Sequence, residues 1–255
     1  MECKENEVRK MIKIENTDVL GWEHAIRGLR NPLNSWDKSD SAYGCRLKKE
    51  RDCVNWNYHT EGEITLCKEC NWCERLCEDA YDEGDVKEFI VGSNDFDLMK
   101  RLAGAGSDHA KYRRMIIVYA DVTAPLYWWK EYDTYKVGTV ANSCSTMHKI
   151  ADKAFTFDDF SCEHLSGTNL IVLNITVDAL NNARLDYLDT KDKSYWWQMI
   201  QLLPSSYNQR RTVQLNYEVL ANMYHSRKSH KLDEWREFCN WVETLPYSEL
   251  ITGGK

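Results

Sequence analysis

Cys67, Cys70, Cys73 and Cys77 follow the spacing C-x2-C-x2-C-x3-C, with Cys45 and Cys53 upstream, so six of the chain's ten cysteines fall between positions 45 and 77. Thiolates gathered this densely bind soft cations, and in a reducing compartment they point to metal rather than to disulfides. The run of four has the spacing of a bacterial iron-sulfur site, although Glu78 stands where a proline usually follows. A tetrahedral structural zinc, with Cys45 and Cys53 joining Cys67 and Cys70, is the preferred reading over iron-sulfur. Unmetallated thiols are the third. Residues 41–85 are charged and break both helical and strand periodicity. They form a cysteine-rich insertion with too little apolar material for a core of its own, which is where a metal clip would stabilise most.

The elements around this insertion follow from hydrophobic period and punctuation. Between Val19 and Asp40 the sequence predicts a short helix over GWEHAIRGLR, stopped by an Asn-Pro break and the polar run NSWDKSDS. FIVGSNDFDLMKRLAGAG reads as a short strand that enters a helix through a Ser-Asn-Asp cap. RRMIIVYADVTAPLYWW carries a β-branched core strand, ended where Pro125 removes a backbone donor. Leu170, Leu173, Val177, Leu180 and Arg184 share one helical face. YWWQMIQLLP starts a further helical segment, RRTVQLNY reads as a strand, and LANMYHSRKSH and LDEWREFCNWVETLP read as helices. The sum is an α+β fold, helices packed around a central sheet, as one main domain over residues 1–255 with the insertion as its appendage.

Composition narrows the function classes. The 255 residues are 29% charged and 43% hydrophobic, an ordinary globular balance. A formal charge of -7 argues against a nucleic-acid groove, which needs a coherent basic surface, and means that an anionic small ligand must be met by a few focused cations. No run approaches the ~18 apolar residues of a membrane span, and MECKENEVRK lacks an apolar signal core, so the expected location is cytoplasmic.

Two windows carry a resemblance, Ala124 to His148 and Leu203 to Arg227. Together they resemble the ligand-binding segments of the flavin-dependent thymidylate synthases. Without gaps, His109 falls on the histidine that opens the family's His-x-x-x-x-Glu-His stretch, and Ala124-Pro125 falls on its Ala-Pro. The family signature Arg-His-Arg-x-x-Ser-x-Asn-Glu-x-Ser-x-Arg-Tyr then meets Thr134, Tyr135, Lys136, Thr139 and, after a one-residue insertion near Ala141, Asn142, Ser143, Ser145, Met147 and His148. Lys136, Thr139, Asn142 and Ser145 keep comparable side-chain chemistry. In the second window Leu203-Pro204 matches the family's anchor, its two flavin-contacting asparagines fall on Asn216 and Asn222, and its substrate-activating arginine falls on Arg227. The resemblance spans most of residues 19–40 and 89–250.

That resemblance implies FAD held by Ser35, His109, Lys136, Asn216 and Asn222, and a pyrimidine nucleotide met by Glu131, Ser143, Ser145 and Arg227. It implies methyl transfer to dUMP with NADPH and methylene-tetrahydrofolate as co-substrates, in a homotetramer. Arg227 would stabilise charge developing on the pyrimidine, so no protein nucleophile is needed. The departures are chemical. Thr134 and Met147 replace forked guanidinium donors, Ile200 replaces a substrate-side arginine, Glu131 stands where glutamine is usual and Ser143 where glutamate is. Lys130, Lys136, Arg113 and Arg114 are the cations available as substitutes. The changed donor pattern also suits another pyrimidine base, and the lost arginines suit a non-catalytic relative with the same fold. Each residue has a plainer role as well: Asn216 as a cap, Ser145 and Ser35 in turns, Arg227 as a surface helix cation.

Overall fold

The computed structural model describes residues 11–44 and 88–253. Cys45, Cys53, Cys67, Cys70, Cys73 and Cys77, and the metal expected on them, lie outside the described residues. The chain divides into two compact units, Met1–Val19 with Ile117–Thr252 and Leu20–Ile116 with Gly253–Lys255. In chain order the elements are β1 (Lys13–Leu20), α1 (Trp22–Arg30), β2 (Ala42–Gly44), β3 (Glu88–Ile90), α2 (Ser93–Gly104), β4 (Ile117–Pro125) and α3 (Leu126–Tyr132). They continue with β5 (Val140–Ser143), α4 (Thr146–Lys149), α5 (Thr168–Thr190), α6 (Lys193–Leu202), β6 (Asn208–Asn216), α7 (Tyr217–Arg227), α8 (Asp233–Glu243) and α9 (Glu249–Thr252). The expected α+β class is the one observed.

The first unit is built on a four-stranded sheet in the order β1-β4-β6-β5. Along β4, Val118, Ala120, Val122 and Ala124 are buried while Tyr119 is exposed, the period of two that turns one face of a strand inward. β4 and β6 are antiparallel, with Val118 opposite Leu215 and Ala120 opposite Val213, so the inward residues of both strands fall on one face. On the other face Asp121 of β4 accepts from Thr212 Oγ1 (2.5 Å) and Arg210 Nη2 (2.8 Å) of β6 and from Asn16 Nδ2 (2.7 Å) of β1. These donors, Thr212 foremost, hold its carboxyl well below the usual range and tie three strands together.

Two cores complete this unit. α5 turns Leu173, Val177, Leu180 and Ala183 onto Met199 of α6 and onto Phe155 and Phe160 of the preceding loop, as the Leu170–Arg184 spacing predicts. Its far side is apolar too, with Ile171 and Ile175 each 60% exposed. The second core is aromatic. Pro125, which cannot donate, ends β4 and serves as the N-cap of α3, whose Trp128, Trp129 and Tyr132 turn inward. Trp128 meets Trp235 and Phe238 of α8 at ring centroid distances of 4.7 and 5.7 Å.

The second unit packs α1 and α2 with a 3-10 turn over Ala110–Met115. Gly21, at φ 94°, opens α1 where a Cβ would lie 2.1 Å from the Met115 carbonyl oxygen, so only glycine fits. β2 and β3 pair antiparallel, Ala42 opposite Ile90 and Gly44 opposite Glu88. The cap of α2 departs from the sequence reading. Gly92 takes the N-cap position, and Asp40, from a distant loop, accepts from the backbone N–H of Asn94 (2.8 Å) and Asp95 (3.0 Å). Asp95 is instead turned inward, fully buried, to meet buried Arg30, whose Nε donates to it at 2.6 Å. A buried guanidinium requires a carboxylate, and that requirement outranks the local cap. Among the described residues no helix is long and apolar enough to cross a membrane.

Candidate functional site

In the first unit, α3 delivers Glu131 and the end of α7 delivers Arg227. α7 begins at Asn216, whose Oδ1 accepts from the Val219 N–H at 2.9 Å, and it ends at Arg227, where the helix dipole favours a cation. Although 96 residues separate them, Arg227 Nη1 donates to Glu131 Oε2 at 2.8 Å. Arg227 Nε donates to the Tyr135 hydroxyl at 2.9 Å. Its guanidinium carbon lies 4.8 Å from the Trp235 ring centroid and 5.5 Å from that of Tyr135. The same Glu131 oxygen also accepts from Trp235 Nε1 at 2.9 Å and lies 3.4 Å from His230 Nε2.

The tautomer of His230 follows from its neighbours. Its Nδ1 accepts from the Leu232 N–H at 3.2 Å, so Nδ1 carries no proton and the ring proton sits on Nε2, facing Glu131. One carboxylate oxygen therefore collects a guanidinium, an indole and an imidazole. Such a centre holds a fixed cation beside a fixed carboxylate. It can offer the remaining guanidinium N–H groups to a polar ligand, but a second anion must compete with Glu131 for the charge.

The loop after α3 closes on Asn216. Gly138, at φ 78°, sits where a Cβ would lie 2.6 Å from Asn216 Nδ2, and that amide is already fixed by its capping bond. Gly138→Ala therefore meets both a backbone and a steric penalty and should cost about 1–3 kcal/mol of stability. Urea unfolding of the variant against the unchanged chain measures it. The same loop carries Lys136, which is exposed, and Thr139, whose hydroxyl donates to the Tyr135 carbonyl.

The remaining expected site residues are placed as follows. Ser143 is exposed on β5, opposite Arg211 of β6. Ser145 caps α4, its Oγ accepting from the His148 N–H at 3.0 Å. Asn222 is exposed on α7. Ser35 and His109 belong to the second unit. There the Ser35 carbonyl accepts from Arg30 Nη1 at 3.1 Å, and His109 is exposed at the start of the 3-10 turn. The structure thus brings Glu131 to Arg227 and the loop of Lys136 to Asn216. His230 and Trp235 were not singled out from sequence, and Tyr135 only as a signature position whose chemistry differs. Trp235 lies in a predicted helix, and nothing local shows that its indole N–H serves a carboxylate 104 residues away.

Among the described residues no group of three or more His, Cys, Asp or Glu side chains is arranged to hold a metal ion. No family model matches the chain, and no curated protein matches it. Solved structures do. Thymidylate synthase X (ThyX) from Helicobacter pylori, with FAD and dUMP, aligns over 95% of this chain and 98% of its own at 15% identity, with a TM-score of 0.57. A second structure of the Helicobacter pylori flavin-dependent enzyme, complexed with FAD and dUMP, covers 71% of this chain and 91% of its own at 18% identity and TM-score 0.49. A UMP/dUMP methylase, PolB from Streptomyces cacaoi, bound with 5-Br UMP, covers 64% and 83% at 13% identity and TM-score 0.47. The near full-length likeness to the first of these is a likeness of fold.

Proposed function

We propose that this chain is a flavin-dependent thymidylate synthase-like protein that binds a pyrimidine deoxynucleotide and transfers a methyl group to dUMP with FAD, NADPH and methylene-tetrahydrofolate. The observation that carries the reading is that the two windows of resemblance are neighbours in space. β5 pairs with β6, Gly138 lies on Asn216, and Glu131 binds Arg227. A shared fold does not by itself carry an activity, so the weight rests on this convergence.

The residues fit a flavin nucleotide in kind. Lys136 is an exposed cation for a diphosphate, and Asn222 is an exposed amide able to meet the donors and acceptors of a ring edge. A bound flavin would supply the hydride that completes the methyl group. Arg227 would orient the pyrimidine and stabilise negative charge on its carbonyl side, using the N–H groups that Glu131 and Tyr135 leave over. Glu131 sets the charge of that place, and a carboxylate there also suits a base that presents an amino group, so a related modification of another pyrimidine nucleotide belongs to the same reading. The exposed apolar side of α5, with Ile171, Val172 and Ile175, supports assembly into a homotetramer.

One observation favours a second reading, a non-catalytic nucleotide-binding relative. Arg227 is already engaged by Glu131, Tyr135 and the Trp235 ring, as a structural clamp would be. The visible spectrum of the purified protein with added FAD, followed by titration with dUMP, separates the two. The enzyme reading expects flavin bands that shift with dUMP. No FAD uptake and no dUMP-dependent thermal shift would overturn it.

A further inference from the structure

The second unit holds a concavity of about 830 Å³, between the face of α2 that carries Asn94, Asp97 and Arg101 and the 3-10 turn of Trp36–Lys38, with Arg30 of α1 also lining it. Its volume is that of a small-molecule site. Its charge is opposite to that of the chain, which carries a net -7. Arg30, Lys38, Lys100 and Arg101 line it, with Asp97 as the carboxylate in the lining, Asp95 behind Arg30 and Asp40 on the Asn94 N–H, so four cations meet three carboxylates and the balance stays positive.

Basic residues in the last turn of a helix are ordinarily a solvated complement to the dipole. This group differs in how it is held. Arg30 is only 5% exposed and is pinned at two nitrogens, Nε to Asp95 at 2.6 Å and Nη1 to the Ser35 carbonyl at 3.1 Å. Its Nη2 has no hydrogen-bond partner among the described residues. Lys100 is drawn to Asp97 at 2.8 Å and lies 4.6 Å from the centre of the Phe96 ring. The side chains of Lys38 and Arg101, both exposed, form no hydrogen bond or close ion pair among the described residues, although the charge of Arg101 also acts on Asp97. Two restrained cations and two exposed ones, from three separate elements, leave room and charge for a phosphate chain.

We infer that this concavity binds the oligophosphate group of a small molecule, with Arg30 as a fixed donor and Lys38 and Arg101 closing on the charge from opposite walls. The inference does not rest on the function proposed above. Calorimetric titration of the full chain with inorganic tripolyphosphate, with a nucleoside triphosphate and with inorganic phosphate tests it. Tripolyphosphate should bind, more weakly as ionic strength rises, and inorganic phosphate should bind about tenfold less tightly or worse. Lys38→Glu and Arg101→Glu, both at exposed positions, should each weaken tripolyphosphate about tenfold or more, while Lys111→Glu, an exposed control in the same unit, should leave it unchanged. Equal affinity for tripolyphosphate and the nucleoside triphosphate would assign recognition to the phosphate chain alone. Tighter nucleoside triphosphate binding, lost in the same variants, would assign it to a nucleotide. No tripolyphosphate binding, binding unmoved in the Lys38→Glu/Arg101→Glu double variant, or binding of a single-stranded oligonucleotide without tripolyphosphate would overturn it.

Discussion

On the proposed thymidylate synthase-like function, Arg227→Ala should lower kcat/KM for dUMP by about a hundredfold or more, the loss typical of removing a fixed charge-stabilising donor from a reacting centre. The same substitution also has a structural cost, because among the described residues it leaves Glu131 with Trp235 Nε1 as hydrogen-bond donor and His230 Nε2 at 3.4 Å. Since the Glu131 side chain is 36% exposed, water takes over part of the lost contact, and the cost should be about 1–3 kcal/mol rather than that of a fully buried pair. Arg227→Lys separates the two effects. An ammonium can still pair with Glu131, so the lysine variant should recover most of the lost stability, but it has no planar fork to hold Tyr135, Glu131 and a ligand at once. Turnover per folded molecule should therefore stay low in both variants. Unchanged kcat/KM in folded Arg227→Ala would reduce Arg227 to a clamp between α3 and α7 and leave the non-catalytic reading.

What sequence made legible here was whatever depends on near neighbours. The long helix α5 is spelled out by Leu173, Val177 and Leu180, and β4 by its alternation up to Pro125. β5 is not spelled out at all, because all four of its residues are exposed and only their pairing with Gln214 to Arg211 makes them a strand. β1 was missed for the same reason, since KIENTDVL lacks a clean period of two. At the candidate site, the resemblance picked out Glu131 and Arg227 one by one as ligand residues, but not that they bind each other. That fact depends on how α3 and α7 meet in three dimensions. Likewise Ser145 and Asn216 spend their side-chain oxygens on capping α4 and α7, a competing use that the local sequence permits without deciding it.

Asp95→Ala should be the most destabilising single substitution in the second unit, at about 3–5 kcal/mol. Asp95 is fully buried and Arg30 is 5% exposed, so deletion of the carboxylate leaves a nearly buried guanidinium without its counter-charge. Two serine hydroxyls lose their acceptor as well, Ser39 and Ser41 each donating to Asp95 Oδ2 at 2.6 Å. Burial alone would push the carboxyl of Asp95 up, but the hydrogen bonds from Ser39, Ser41 and Arg30, with the charge of Arg30, outweigh it and hold the group below the ordinary value of 3.8. A lowered folded value means that the stabilisation is complete above that ordinary value and is lost as the pH falls through the folded one. The difference in urea midpoint between the unchanged chain and Asp95→Ala should accordingly be constant near neutral pH and shrink in acid. Arg30→Met/Asp95→Leu, which removes both charges together, should cost much less than Asp95→Ala alone, because the larger part of the single-variant loss is the orphaned cation rather than the missing pair. A double variant as unstable as the single one would place the energy in the serine hydrogen bonds instead, and Ser41→Ala, which also strips the Gly92 N–H of its acceptor at 2.9 Å, would then reproduce most of the loss.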